Sequence, residues 1–179
     1  MGTKILITGT HSTGKSTLLE ELKKLDKFRD FKFIGGVTRS ARNLGLEINE
    51  SGDEYTQLYC MCKDFLNLIE NEDSKVIYDR SILDTLIYSL YLYDKLPSWV
   101  IDINRSMCNL LIKKFDLIVW LRPEQEIDDD SVRSMNMDFQ IEVDYMFDRF
   151  FKQNNLPVFQ LKGSIQERVD QFNKIYSHE

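Results

Sequence analysis

Residues 9–16 read Gly-Thr-His-Ser-Thr-Gly-Lys-Ser, a G-x-x-x-x-G-K-[ST] pattern. It follows the apolar run KILIT at 4–8 and opens the helical segment STLLEELKKL. A strand that ends in such a glycine-spaced loop and passes straight into a helix builds a cradle for polyphosphate. The glycines let the backbone wrap tightly. Successive amides then point inward, and the helix N-terminus adds partial positive charge. Lys15 is placed to reach the β- and γ-phosphates, and the Ser16 hydroxyl to reach Mg²⁺. Gly9, Thr10, His11, Ser12, Thr13, Gly14, Lys15, Ser16 and Thr17 are therefore expected to line a nucleotide site. ATP is the expected donor, although the loop alone does not exclude GTP. The guanine-reading pattern Asn-Lys-x-Asp is absent, since Asn173-Lys174 continues as Ile175-Tyr176.

The remainder of the chain alternates short apolar runs with longer amphipathic ones. Strands are expected at 4–8, 32–35, 75–78, 116–121 and 157–161. Helices are expected at 15–25, 53–70, 81–93, 98–114, 139–154 and 164–176. Four of the strand runs are nearly continuous in β-branched or aromatic residues, as in a parallel sheet covered on both faces. Right-handed βαβ crossovers then give an α/β three-layer sandwich with a five-stranded parallel sheet. At 179 residues the chain is expected to form one domain over 1–179.

The third strand ends in Asp79-Arg80-Ser81, followed by Ile82-Leu83-Asp84-Thr85. An acidic residue at the carboxyl end of a strand beside the phosphate loop faces the phosphates. Asp79 there can hold a Mg²⁺ water or orient an attacking hydroxyl, and Arg80 can clamp an anionic group. The alternative is that Asp79 and Ser81 cap the next helix. Arg39 and Arg42 share a face if helical and can bind an acceptor phosphate, or serve only as surface charge. Residues 124–148 carry nine acids and a single cation, Arg133. Arg133 is thus the candidate lid arginine, its alternative being an ion pair with Asp129 or Asp130.

These segments resemble small AAA-type P-loop kinases related to the ribosylnicotinamide kinase domain of the bacterial NAD-biosynthesis regulator. The Asp79-Arg80 pair also resembles that of thymidylate kinases and, with Glu replacing Asp, of deoxynucleoside kinases. The resemblance rests on residues 9–16, on Tyr78 through Tyr88, and on Gly36-Val37-Thr38-Arg39-Ser40-Ala41-Arg42 near the acceptor. It rests also on Asp129-Asp130-Ser131-Val132-Arg133-Ser134 as a lid, and on Gly163 through Arg168. It implies a nucleotide-kinase-like P-loop fold with a short helical lid at 124–138. It implies catalysis by Lys15, Asp79 and Arg133, with Mg²⁺ on Ser16 and Asp79. Thr38, Arg39, Arg42, Arg80 and Asp84 would meet the acceptor, and Gly163 would pass the adenine. Arg122-Pro123 can lie near the adenine or the lid hinge, or simply begin a loop. Two departures stand out: Ser131 replaces the usual lid glycine, and His11 sits where small residues are commoner.

Net charge is −6, which disfavours tracking along a nucleic acid backbone. No apolar run is long enough to span a membrane. Three cysteines, Cys60, Cys62 and Cys108, lack zinc or redox spacing and are expected as reduced core residues, implying a cytoplasmic setting. The helix at 81–93 is apolar nearly all round, so it is either core or a homodimer face. The expected activity is transfer of the ATP γ-phosphate to a nucleoside, nucleotide or nicotinamide riboside. The alternatives are a kinase acting on a hydroxymethylated base or an end in nucleic acid, and a regulatory switch ATPase.

Overall fold

The computed structural model describes residues 2–123 and 134–177, with backbone alone at 134–136. Five strands form one parallel sheet in the order β2-β3-β1-β4-β5: β1 (Lys4–Thr8), β2 (Lys32–Ile34), β3 (Val76–Asp79), β4 (Leu117–Leu121) and β5 (Val158–Leu161). Every residue of β1 and β4 is buried, as the unbroken apolar runs require. Seven α-helices occur among the described residues: α1 (Lys15–Lys23), α2 (Val37–Asn43), α3 (Glu54–Glu70), α4 (Ile82–Tyr91), α5 (Ser98–Leu111), α6 (Ser134–Asn154) and α7 (Ile165–Ser177).

Alternation along the strands feeds two cores. Leu6, Tyr78, Ile118 and Trp120 point to one face, where Met61 and Leu68 of α3, Leu86 of α4, Leu111 of α5 and Phe147 of α6 cover them. Ile5, Ile7, Ile77 and Val119 point to the other, against Leu18 and Leu22 of α1 and Val169 and Phe172 of α7. Each fully buried Leu or Ile contributes about 2 kcal/mol of transfer free energy.

This order fixes the site. Ile7 stands beside Asp79 on one side and Val119 on the other. From β1 the chain first builds β2 and β3 on one flank and then crosses to β4 and β5. A crevice therefore opens at the carboxyl end of β1.

Several expectations shift. α2 was not among the expected helices, because it is short and buries only Ala41. α6 begins at Ser134, so part of the expected lid at 124–138 is the first turn of that helix. The rest of that lid, Arg133 included, lies outside the described residues. α1 ends at Lys23, and α5 ends at Leu111 before a 3₁₀ turn, Ile112–Lys114. Cys60 and Cys108 are buried, but Cys62 is exposed, two residues around the helix from the inward face. Ile82, Leu83, Leu86 and Ile87 of α4 have no exposed surface. Of the two readings of residues 81–93, core or homodimer face, the burial of these side chains under the chain's own helices favours core, while Tyr93 at the end of the segment is exposed. No helix among the described residues is long and apolar enough to cross a membrane.

Candidate active site

The phosphate loop follows β1 directly. Gly9 has φ 132°, and a Cβ there would collide with the Leu121 carbonyl. Gly14 has φ 82° and turns the chain into α1. Only glycine takes both positions without strain. Leu18 N–H donates to Gly14 O at 3.0 Å, which leaves the earlier amides of the turn free of intrahelical partners. Arg168 of α7 supports the loop from below, donating from Nη1 to Thr13 O at 2.8 Å. Lys15 lies folded into the loop, with Nζ donating to Gly9 O at 2.8 Å, to Thr13 Oγ1 at 3.0 Å and to Thr10 O. Burial, then the nearby Arg80, pull its pKa down to about 7 against Asp84 and Asp79.

The Asp79-Arg80-Ser81 turn lies alongside. Arg80 adopts φ 68°, an uncommon conformation for a side-chain-bearing residue and one that is concentrated at functional sites. Its N–H donates to Ile7 O at 3.0 Å, tying the turn to β1. Its guanidinium sits 5.4 Å over the Tyr88 ring, with Nη1 3.1 Å from the Tyr88 hydroxyl and 3.7 Å from Asp84 Oδ1. Burial opposes its charge, but Tyr88, Asp84 and Asp79 outweigh burial and hold its pKa above the ordinary value. Asp84 accepts from Thr8 Oγ1 at 2.9 Å and from Ser81 N–H at 3.1 Å. It is thus first a strut between β1, the turn and α4. Burial raises its pKa, against the pull of Arg80 and Lys15. Asp79 Oδ1 is buried and has no hydrogen-bond partner among the described residues.

A cavity of about 290 Å³ adjoins the loop. Ser16, His11, Asp79, Arg80 and Asp84 line it, together with Thr38 and the exposed Arg39 and Arg42 of α2. His11 stacks on Phe139 of α6 at 5.2 Å, and Gln140 Nε2 donates to its carbonyl at 2.7 Å. Burial, then Arg80 and Lys15, lower the His11 pKa, so the ring is neutral near pH 7. The sequence leaves unmarked a buried part of the lining: Gln57, Cys60 and Asp64 of α3 with Thr85 and Tyr88 of α4. Cys60, Asp64 and Leu68 recur every four residues, so an acid stands on an otherwise apolar helical stripe. That anomaly was the available signal. Arg168 was missed as a loop support for the same reason, since it sits on the buried stripe of α7 with Val169 and Phe172.

Gly163 and Arg122 stand elsewhere, in a second groove of about 670 Å³. Arg122 pairs with Asp144 at 2.6 Å and lies 4.7 Å over the Trp120 ring. Tyr145, Lys162 and Gly163, with φ 87°, complete its lining. The two spaces share no residue.

A phosphate loop on β1, a strand-end Asp-Arg pair on the next strand and a 2-3-1-4-5 parallel sheet define a P-loop protein with the nucleotide-kinase fold. The chain matches the model of a family described as an AAA domain over residues 4–168, and it belongs to that family. Similar solved structures include deoxyadenosine kinase from M. mycoides with the product dCMP bound, at TM-score 0.70 and 18% identity. That match covers 98% of this chain and 100% of the other. A thymidylate kinase from Ehrlichia chaffeensis gives 0.68 and 18%, covering 98% of each. NadR in complex with NR gives 0.65 and 18%, covering 91% of this chain and 44% of NadR. No curated protein matches the chain by sequence.

Proposed function

We propose that residues 1–179 form one kinase domain that moves the γ-phosphate of ATP to a hydroxyl or phosphate of a nucleoside, nucleotide or nicotinamide riboside. One observation carries this reading. Ser16 and His11 of the phosphate loop line the same walled cavity as Asp79, Arg80 and the two arginines of α2. A phosphate donor and a small acceptor therefore meet in one space. The similar solved structures, a deoxyadenosine kinase, a thymidylate kinase and NadR in complex with NR, support the acceptor class.

In this reading Lys15 exchanges the carbonyls of Gly9 and Thr10 for the β- and γ-phosphate oxygens. The acceptor oxygen attacks the γ-phosphorus as the bond to the β-bridging oxygen breaks, and that electron pair leaves with ADP. A hydroxyl acceptor gives its proton to the unpartnered Oδ1 of Asp79. A phosphate acceptor has no proton to give, and Asp79 then only orients it. Arg80, held by Asp84 and Tyr88, faces the transferring group, and Arg133 of the lid would supply the remaining positive charge. Thr38, Arg39 and Arg42 receive the acceptor, and Gly163 lies in the groove suited to the adenine.

Mg²⁺ fits the residues present. Ser16 offers an exposed hydroxyl, and Asp79, in the alternative to its role as proton acceptor, offers a buried carboxylate oxygen on the same cavity, an all-oxygen set. Held by these two residues, the ion would neutralise charge on the β- and γ-phosphates.

The test is an acceptor screen with γ-labelled ATP and Mg²⁺. Nucleosides, nucleoside monophosphates, nicotinamide riboside and oligonucleotides are offered to the wild type and to Lys15→Ala. Label on one small acceptor, lost in the variant, is the expected result. Label on the oligonucleotide alone, or only as free phosphate, overturns it.

A further inference from the structure

The last helix reaches the phosphate loop through one buried cation. Arg168 is 8% exposed and closes the first turn of α7, on the buried stripe it shares with Val169 and Phe172. Its Nη1 donates to Thr13 O at 2.8 Å, across 155 residues of sequence. Burying a guanidinium is costly unless its hydrogen bonds are made. The packing of α7 on α1 asks only for apolar side chains, as Val169 and Phe172 supply against Leu18 and Leu22. The cation therefore answers a need of the loop.

That need lies at the Thr13–Gly14 peptide. The peptide is trans, so its C=O and its N–H point in opposite directions. A carbonyl held toward Arg168 turns the Gly14 N–H away from α7. No backbone carbonyl among the described residues accepts that N–H. Gly14 stands at φ 82°, ψ 15°, yet a glycine is about as comfortable at negative φ. The peptide can thus rotate as a unit at little local cost, and would then present its carbonyl where its N–H had been. An N–H in that place attracts a phosphate oxygen, and a C=O repels it. Glycine also makes room for the clamp, since a Cβ on Gly14 would come 3.1 Å from Arg168 Nη1. The missing side chain that frees the peptide also admits the group that fixes it.

We propose that Arg168 is a positioning residue of the phosphate loop: its bond to Thr13 O selects the peptide orientation that offers the Gly14 N–H to a phosphate oxygen of the nucleotide. Arg168 acts on the ligand through this peptide and does not touch it. The inference deepens the donor side of the kinase reading, rests on it for the nucleotide, and needs no transfer step.

The clamp itself is held rigidly. Arg168 N–H donates to Ser164 O at 3.0 Å. Ser164 in turn donates from N–H and from Oγ to Glu167 Oε2, each at 2.7 Å. Gln171 Nε2 donates to Lys162 O at 2.7 Å, and Lys162 N–H donates to Gln171 Oε1 at 3.2 Å. The turn after β5 and the guanidinium are therefore one piece, so the loop takes its shape from the far end of the chain.

The experiment labels the full chain with ¹⁵N-glycine and ¹³C-carbonyl threonine. Two of the eight glycines follow a threonine, Gly9 and Gly14, so a carbonyl-filtered amide spectrum holds two peaks. Thr8→Val removes the first and assigns the second. ADP is titrated into wild type, Arg168→Met and Arg168→Lys, with affinity measured by calorimetry and folding by circular dichroism. In the wild type the Gly14 amide should move downfield as ADP binds, the direction of a new bond to an oxyanion. In Arg168→Met it should stay in place, and ADP affinity should fall about 10- to 100-fold, the worth of a hydrogen bond to a charged group. Arg168→Lys keeps the charge without the planar fork and should remain about threefold or more below wild type. ADP that binds the wild type without moving Gly14 overturns the proposal, and this readout needs no variant to fold. Unchanged affinity in Arg168→Met overturns it too, as does full recovery in Arg168→Lys, which would assign the effect to charge alone. No ADP binding by the wild type refutes the donor site itself. Binding that depends on Arg168, with no acceptor labelled in the screen, refutes the kinase reading alone.

Discussion

Raising the pH should weaken nucleotide binding through Lys15, and the size of the effect follows from the loop. In the nucleotide-free protein the lysine is 5% exposed and its pKa stands near 7, lowered chiefly by burial. Phosphate oxygens require the ammonium, so the bound state holds the proton well above that value. Apparent affinity then tracks the charged fraction of the free loop. Between pH 7.0 and 8.5 that fraction falls from about one half to about 3%, a loss of roughly 15-fold in affinity for a group titrating near 7. Phosphate groups of ADP are already ionised across this range. About one proton should be taken up per ADP bound at pH 8.5. Calorimetry in two buffers of different ionisation enthalpy measures both quantities. The sign reverses for folding: the unfolded lysine holds its proton to about 10.4, so between pH 7 and 10 this group makes the empty protein more stable as pH rises. Lys15→Met should flatten both profiles. Flat ADP affinity and no proton uptake in the wild type would show that the Gly9 and Thr10 carbonyls keep the ammonium charged despite its burial.

Asp79→Asn removes the proton acceptor while keeping the shape of the turn. It should lower kcat for a hydroxyl acceptor by about 10²- to 10⁴-fold with Tm unchanged; a fall of less than threefold would remove Asp79 from the chemistry. Arg39→Ala and Arg42→Ala take away exposed guanidinium groups that line the cavity. Each should raise KM for a phosphate-bearing acceptor several-fold and leave KM for ATP alone, and an acceptor without phosphate should be indifferent. Thr8→Val deletes the hydroxyl that donates to buried Asp84 at 2.9 Å. Urea unfolding should show a loss of about 1–3 kcal/mol, the cost of a buried acceptor left short of a donor; an unchanged midpoint would mean that Ser81 N–H suffices.

The donor side of this molecule was legible in the sequence because its physics is local. One strand, one glycine-spaced loop and one helix contain the whole cradle, so residues 4–23 carry both the motif and its context. The parallel sheet was equally open to reading, because strands buried on both faces show as unbroken apolar runs. The second helix was not, since Val37–Asn43 buries a single side chain and leaves no periodic trace. Cys62 misled by composition: buried cysteines are common, but the helical rotation that places Cys60 inward turns its neighbour but one to solvent. The continuous apolar surface of residues 82–92 was compatible with two fates, and only the positions of α3, α5 and α6 decide between them.

The acceptor side depends on convergence that no spacing records. Asp64 and Thr85 are 2.9 Å apart in space because α3 and α4 cross at that point, and the crossing is set by apolar residues elsewhere on both helices. The same packing produces the electrostatic consequence. Where α3 meets α4, Asp64 is 5% exposed and pairs with no cation among the described residues, so burial pushes its pKa up to about 8. Where β3 meets the phosphate loop, Arg80 and Lys15 lie within reach of Asp79 and Asp84, and the acids there have charge to answer. One cavity is therefore lined both by a carboxyl whose pKa burial raises, that of Asp64, and by the guanidinium of Arg80.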